Sequence, residues 1–141
     1  MSGLTDINHL IKHMSPVLNA GEYVFVSEKN ADANFDQIDL SHSIGMFKEE
    51  EGMTVILPRT YANQLKLNYS SVMAWITLDV HSSLEAVGLT AAFAKALGET
   101  NISCNVVAAY FHDHVFVPLE DAERAISALK QLASEGISNG Q

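Results

Sequence analysis

VMAWITLDVHSSLEAVGLTAAFAKALGETNISCNVVAAYFHDHVFVPLEDAERAISALKQLA, residues 72–133, runs through hydrophobic periods of 2, 3.6, 2, 2 and 3.6. Val72, Ala74, Ile76, Leu78 and Val80 alternate onto one face of a strand. A broadly apolar helical stretch follows from Leu84 to Leu97. Ile102, Cys104, Val106, Ala108 and Tyr110 alternate again, Val115 and Val117 sit in a short strand run, and a second helical pattern starts after Pro118. This order predicts a small layered α/β sandwich with helices on one face of its sheet. The block is one strand short of a split βαβ unit. A bare edge would expose unpaired backbone groups. The N-terminal half is therefore expected to supply the missing strand, through Tyr23 to Val26 or through a sheet shared by both halves.

Working outward, Ile7, Leu10, Ile11 and Met14 form a helical stripe, with Thr5 and Asp6 suited to the helix start. Pro16 ends that pattern. Tyr23 to Val26 reads as a strand, Glu28 to Asp36 as a polar loop, and Ile44 to Phe47 and Met53 to Leu57 as two strands. Between the last two, Glu49, Glu50 and Glu51 followed by Gly52 read as a solvated hairpin or bulged loop. Pro58 opens a short helix through Leu65, where its missing N–H costs nothing. Asn68 to Ser71 marks a boundary, giving an N-terminal module over 1–69 and a C-terminal module over 70–141.

In the C-terminal module Ala122, Ala125, Ile126, Leu129 and Leu132 line one face of the last helix, and Gly136 stops it. The helix from Leu84 to Leu97 is apolar nearly all round, from Ala86 and Val87 to Phe93 and Ala96. One sheet buries one stripe, so this helix predicts a second covering surface and self-association.

Bulk properties exclude several classes. The chain has 141 residues and a formal net charge of -9, and 48% of it is hydrophobic. That is enough apolar surface for an ordered domain and too little positive charge for a nucleic-acid or anionic-membrane surface. Cys104 is the single cysteine, so no internal disulfide forms, and it reads as a small buried hydrophobe. The polar segment around Asn8 and His9 does not read as a signal peptide, and no apolar run reaches the roughly 18 residues of a membrane span. A cytoplasmic protein is the expectation.

Asp79, Val80, His81, Ser82, Ser83 and Leu84 form the strand-to-helix connection, where unpaired N–H groups at a helix start meet an anion such as an α-carboxylate. Ser82 and Ser83 equally serve as helix caps. Gly88 early in the helix costs about 1 kcal/mol against alanine, which suggests close packing or close backbone approach. Phe111, His112, Asp113 and His114 read as a tight turn in which Asp113 bonds the backbone and both histidines are partly exposed. His112 and His114 share one side of an extended chain, yet no third metal ligand stands at informative spacing. His9 and His13 share a helix face. Asn101, Ser103 and Asn105 alternate against Cys104 and Val106, facing either an interface or solvent. Nucleophile elbows, phosphate loops, HExxH and CxxC pairs are absent, and His81 with Ser82 and Ser83 lacks an orienting acid. No metal or cofactor is expected.

The stretches Val87–Ala91, Ile102–Val106 and Phe111–Pro118 resemble the ACT superfamily, as does Met53–Pro58 in the first half. Within it, the likeness is to small bacterial tandem-ACT proteins, related to the C-terminal regulatory part of aspartate kinase and to the cytosolic arginine sensor of animals. The resemblance implies an α+β, ferredoxin-like βαββαβ sandwich of two intimately paired modules with a shared or exchanged strand. It implies an amino-acid ligand between modules, touching Asp79, His81, Ser82, Ser83, Leu84, Val87, Gly88 and Leu89. Ile102, Ser103 and Asn105 would face it, with Asp113 or Asp79 meeting the ammonium. It further implies a sensor that forms a homodimer or higher homo-oligomer and acts on a separate regulated protein. An oligomerisation module without ligand and a metal-assisted enzyme using His81, His112 and His114 are the alternatives.

Overall fold

The computed structural model describes residues 3–30, 33–79 and 88–136. In chain order the elements are α1 (Gly3–Lys12), β1 (Ser15–Leu18), β2 (Tyr23–Ser27), β3 (Gly45–Glu49), β4 (Gly52–Pro58) and α2 (Arg59–Gln64). They continue with β5 (Val72–Asp79), α3 (Leu89–Glu99), β6 (Asn105–Ala108), β7 (Asp113–Pro118) and α4 (Ala122–Glu135). The chain divides into two compact units, a smaller one over residues 20–74 and a larger one made of residues 1–19 and 75–141.

In the smaller unit the strands lie antiparallel in the order β3-β4-β2-β5. Val24 pairs with Leu57 and Val26 with Val55, and these four with Ala62 and Leu67 form an apolar core. Glu49 pairs with Gly52 across the two-residue turn Glu50–Glu51, so the acidic run is a hairpin. Gly52 sits at φ +132°, and a Cβ there would lie 2.9 Å from Glu28 Oε1, which accepts the Met53 N–H. Pro58 caps α2 as expected. The stretch read as a polar loop carries more structure: 3₁₀ turns cover Ala33–Gln37 and Leu40–His42, and Phe35 and Ile38 pack onto the core. These turns stand where the first helix of a βαββαβ module would be. The last strand of the module is the start of β5, where Met73 and Val72 pair with Tyr23 and Val24.

The larger unit continues β5 from Trp75 and orders its strands β1-β5-β7-β6. Here Ile76 and Leu78 are buried on one face, with Phe93 and Leu97 of α3, Leu129 of α4 and Ile11 of α1. The fold is thus α+β and ferredoxin-like, each unit a βαββαβ arrangement in which β5 takes part twice.

Three expectations are corrected. The strand that completes the larger unit does come from the N-terminal half, but it is Ser15–Leu18, which pairs antiparallel with Asp79–Ile76, whereas Tyr23 and Val24 pair with the start of the shared strand β5. Pro16 did break the helix, but a strand paired on one side tolerates a missing N–H. The described part of the helix read from Leu84 to Leu97 starts at Leu89, and Gly88 is the N-cap of α3 at φ +89°, not an interior residue. A Cβ on Gly88 would lie 3.0 Å from Ile7 Cδ1, so left-handed backbone and close approach both call for glycine. Within the described part of α3, Leu89, Phe93 and Leu97 are buried, and the remaining apolar positions are alanines at least partly exposed, open to the second covering surface that was expected. The strand read from Ile102 to Tyr110 is regular only over Asn105–Ala108, although Ile102 does face inward.

Candidate functional site

The larger unit places its polar chemistry on the two faces of β7. Asp113, Val115 and Val117 share one face by strand alternation, and His114 and Phe116 the other. Asp113 was expected within a tight turn, bonding the backbone. It is instead the first residue of β7, paired with Ala108, and only 6% exposed. The turn itself closes one step earlier, where Ala109 N–H donates to the His112 carbonyl. Burial pushes the Asp113 carboxyl above the usual carboxylate range, and nearby His114 and His112 oppose that rise only in part.

The end of β5 meets the start of β7 at this point. His112 Nδ1 lies 3.8 Å from Asp79 Oδ1. Asp79 is therefore brought beside His112, while its side chain remains largely exposed. Gly88 and Leu89 open α3, leaving the N–H groups of its first turn without helical acceptors. Ile102 is buried, and Ser103 and Asn105 are exposed. Asn105 pairs with Phe116, three pairs along the ladder from Ala108 and Asp113. His81, Ser82, Ser83, Leu84 and Val87 lie outside the described residues.

On the opposite face is a network that sequence reasoning did not find. Trp75 Nε1–H donates to His114 Nδ1 at 3.0 Å, and Thr77 Oγ1 stands 3.2 Å from the same nitrogen. Asn19 Nδ2 donates to Thr77 Oγ1 at 2.9 Å and to the Trp75 carbonyl at 3.2 Å, and the Asn19 N–H donates to that carbonyl at 2.9 Å. The Trp75 ring stacks on Phe116 with centroids 6.2 Å apart. Burial lowers the pKa of His114, and His112 adds to that. The alternating phases of β5 and β7 could have paired Trp75 and Thr77 with His114. Nothing local tied them to Asn19, more than fifty residues away.

Among the described residues no group of three histidine, cysteine, aspartate or glutamate side chains could hold a metal ion. His114 already uses Nδ1 to accept from Trp75. His9 and His13 do meet, with tilted rings and centroids 4.6 Å apart, but supply two donors on an exposed helix end. Cys104 is half-buried and burial raises its thiol pKa, which suits packing rather than nucleophilic attack. A groove of about 610 Å³ runs along α3 and α4 over Ala91, Ala92, Ala96 and Ala128. Its polar rim is hydrogen-bonded within each helix, Lys95 to Glu99 and the Gln131 amide to Glu135. No described helix is long and apolar enough to cross a membrane.

Two sequence-family profiles, each described as an ACT domain, match residues 2–74 and 70–131. No curated relative matches the chain. The crystal structure of a Vibrio cholerae protein of unknown function, described as a possible transport protein, is similar at 45% identity and TM-score 0.78. The match covers 94% of this chain and 99% of that one. The ligand-free regulatory subunit of aspartate kinase from Thermus thermophilus is similar at 13% identity and TM-score 0.62, covering 82% of this chain and 94% of that one. An Agrobacterium tumefaciens protein is similar at 14% identity and TM-score 0.66, covering 85% and 89%. At such identities the last two show the fold.

Proposed function

We propose, from the premise that this chain belongs to the ACT-domain family, that its larger unit binds a free amino acid and thereby changes a contact with another protein. The family supports a regulatory, ligand-binding module in general terms, and the choice of an amino acid is our reading. The observation that carries it is Asp113. A carboxylate buried without a cationic arginine or lysine among its charged neighbours is a costly group, and the folded chain holds it above its usual pKa. A ligand ammonium would supply the missing charge. Asp79 suits that role less, because it is exposed and already beside His112. The ligand carboxylate would be met by main-chain N–H groups between Ser82 and Leu84, the segment that leads to α3. No bond is made or broken. The bound form favours one assembly state by its differential affinity. The partner is a second copy of this chain, a separate regulated protein, or both.

A thermal-shift screen of the twenty amino acids, with and without divalent metals, tests this reading. A selective upshift from one or a few amino acids, confirmed by calorimetry and independent of metal, is the expected result. If none of the twenty binds and the purified protein forms tight hetero-complexes, the ligand-free interaction module replaces it.

A further inference from the structure

We infer that His114 is a proton-controlled clasp that fastens the point where the chain leaves the larger unit to the point where it returns. The chain leaves that unit after Asn19 and re-enters it at Trp75. These two residues are joined directly, since the Asn19 N–H and side-chain amide both donate to the Trp75 carbonyl. His114 reaches the same junction from β7. Its Nδ1 accepts the indole N–H of Trp75 and lies within hydrogen-bond distance of the Thr77 hydroxyl, which in turn accepts from Asn19. An indole N–H can only donate, so Nδ1 must carry a lone pair and the proton of the neutral ring sits on Nε2. A second proton has nowhere to go except Nδ1. It would face the indole hydrogen and the hydroxyl together and turn the acceptor at the centre of the network into a third donor.

The charged surroundings do not rescue the imidazolium. On its own strand and turn His114 has Asp113, which favours the charged form, and His112, which opposes it. From β5 the ionisable group is Asp79, exposed and 3.8 Å from His112. From β6 the pairing partner is Val107, flanked by Val106 and Ala108, and from β1 the register places Ser15, Pro16, Val17 and Leu18; none is ionisable. Burial outweighs these opposed charges and lowers the pKa. The clasp is thus complete above the ordinary histidine value of 6.5 and is lost as the pH falls through the lower folded value. The device is independent of any amino-acid ligand.

Two-dimensional nitrogen NMR of the full chain tests it. At pH 7.5 the His114 ring should show the Nε2–H tautomer, and the Trp75 indole hydrogen should be protected from exchange. Acidification through the titration of the His114 ring, followed by its own nitrogen shifts, should lose that protection in step with His114 protonation. His114→Asn keeps an acceptor near the Nδ1 position but cannot titrate, so its Trp75 indole hydrogen should stay protected across the range. His112→Asn should leave the response in place. A proton on Nδ1 in the wild type at pH 7.5, or indole protection that does not change with pH, overturns the proposal even if His114→Asn fails to fold. So does an unchanged pH response in His114→Asn.

Discussion

The two units reach the same strand order by different local means, and they keep different company inside. The smaller unit crosses from β2 to β3 by two 3₁₀ turns, and Phe35 and Ile38 cover its core where α3 does so in the larger one. Its core cluster is wholly apolar, and its best-organised polar group, Arg59 with Glu22 and Tyr69, lies in the partly exposed shell. The larger unit buries a carboxylate and half-buries a histidine on the two faces of one strand. A sheet order therefore tolerates loss of a helix, because strand alternation and register carry it. Polar groups inside the sandwich are not required by the fold, since the smaller unit manages without them. That makes Asp113 and His114 the residues whose presence asks for a function.

The largest expected effect tests whether the two cores are equally well packed. Phe93→Ala should cost about 3–5 kcal/mol and Leu57→Ala about 2–5 kcal/mol in urea unfolding, since both side chains are fully buried. A much smaller loss for Phe93 would mean that α3 is held loosely and would weaken the contrast. Next, Gly88→Ala forces a side chain into left-handed backbone and against Ile7, at about 1–3 kcal/mol. Gly98→Ala, in open space on the same helix, should instead gain about 0.4–1 kcal/mol.

Asp113→Asn sharpens the comparison from the other side. With a raised carboxyl pKa, the folded state takes up this proton more readily than the unfolded one. Asp113 therefore burdens the fold at neutral pH, and the burden lifts as pH falls through the folded value. Removing the charge should gain about 1 kcal/mol at pH 7 in the ligand-free protein while abolishing any amino-acid response. The smallest effect belongs to the exposed Lys95–Glu99 pair, where Lys95→Ala should change stability by no more than about 0.5 kcal/mol.

The elements that were legible in advance are those with a clean period. β5, β7, α4, the Glu50–Glu51 hairpin and the proline-capped α2 were readable because alternation, a helical stripe or turn chemistry marked each one. β1 was not, since four residues containing Pro16 carry too little pattern, and its strand character comes from pairing with β5. Asp113 was visible as a residue of interest, yet its burial was not, because the turn closes at His112 and the aspartate begins the strand. The Asn19 end of the histidine network depends on contacts far apart in the chain, which no local pattern encodes.

The account turns on whether the buried carboxylate waits for a cation. Carbon-13 NMR titration of the Asp113 side-chain carboxyl, with and without saturating amino acid, reads this directly. Alone, the group should titrate above 3.8, and a bound ammonium should bring that titration down. An ordinary carboxylate titration in the free protein, or one that none of the twenty amino acids displaces, would contradict it.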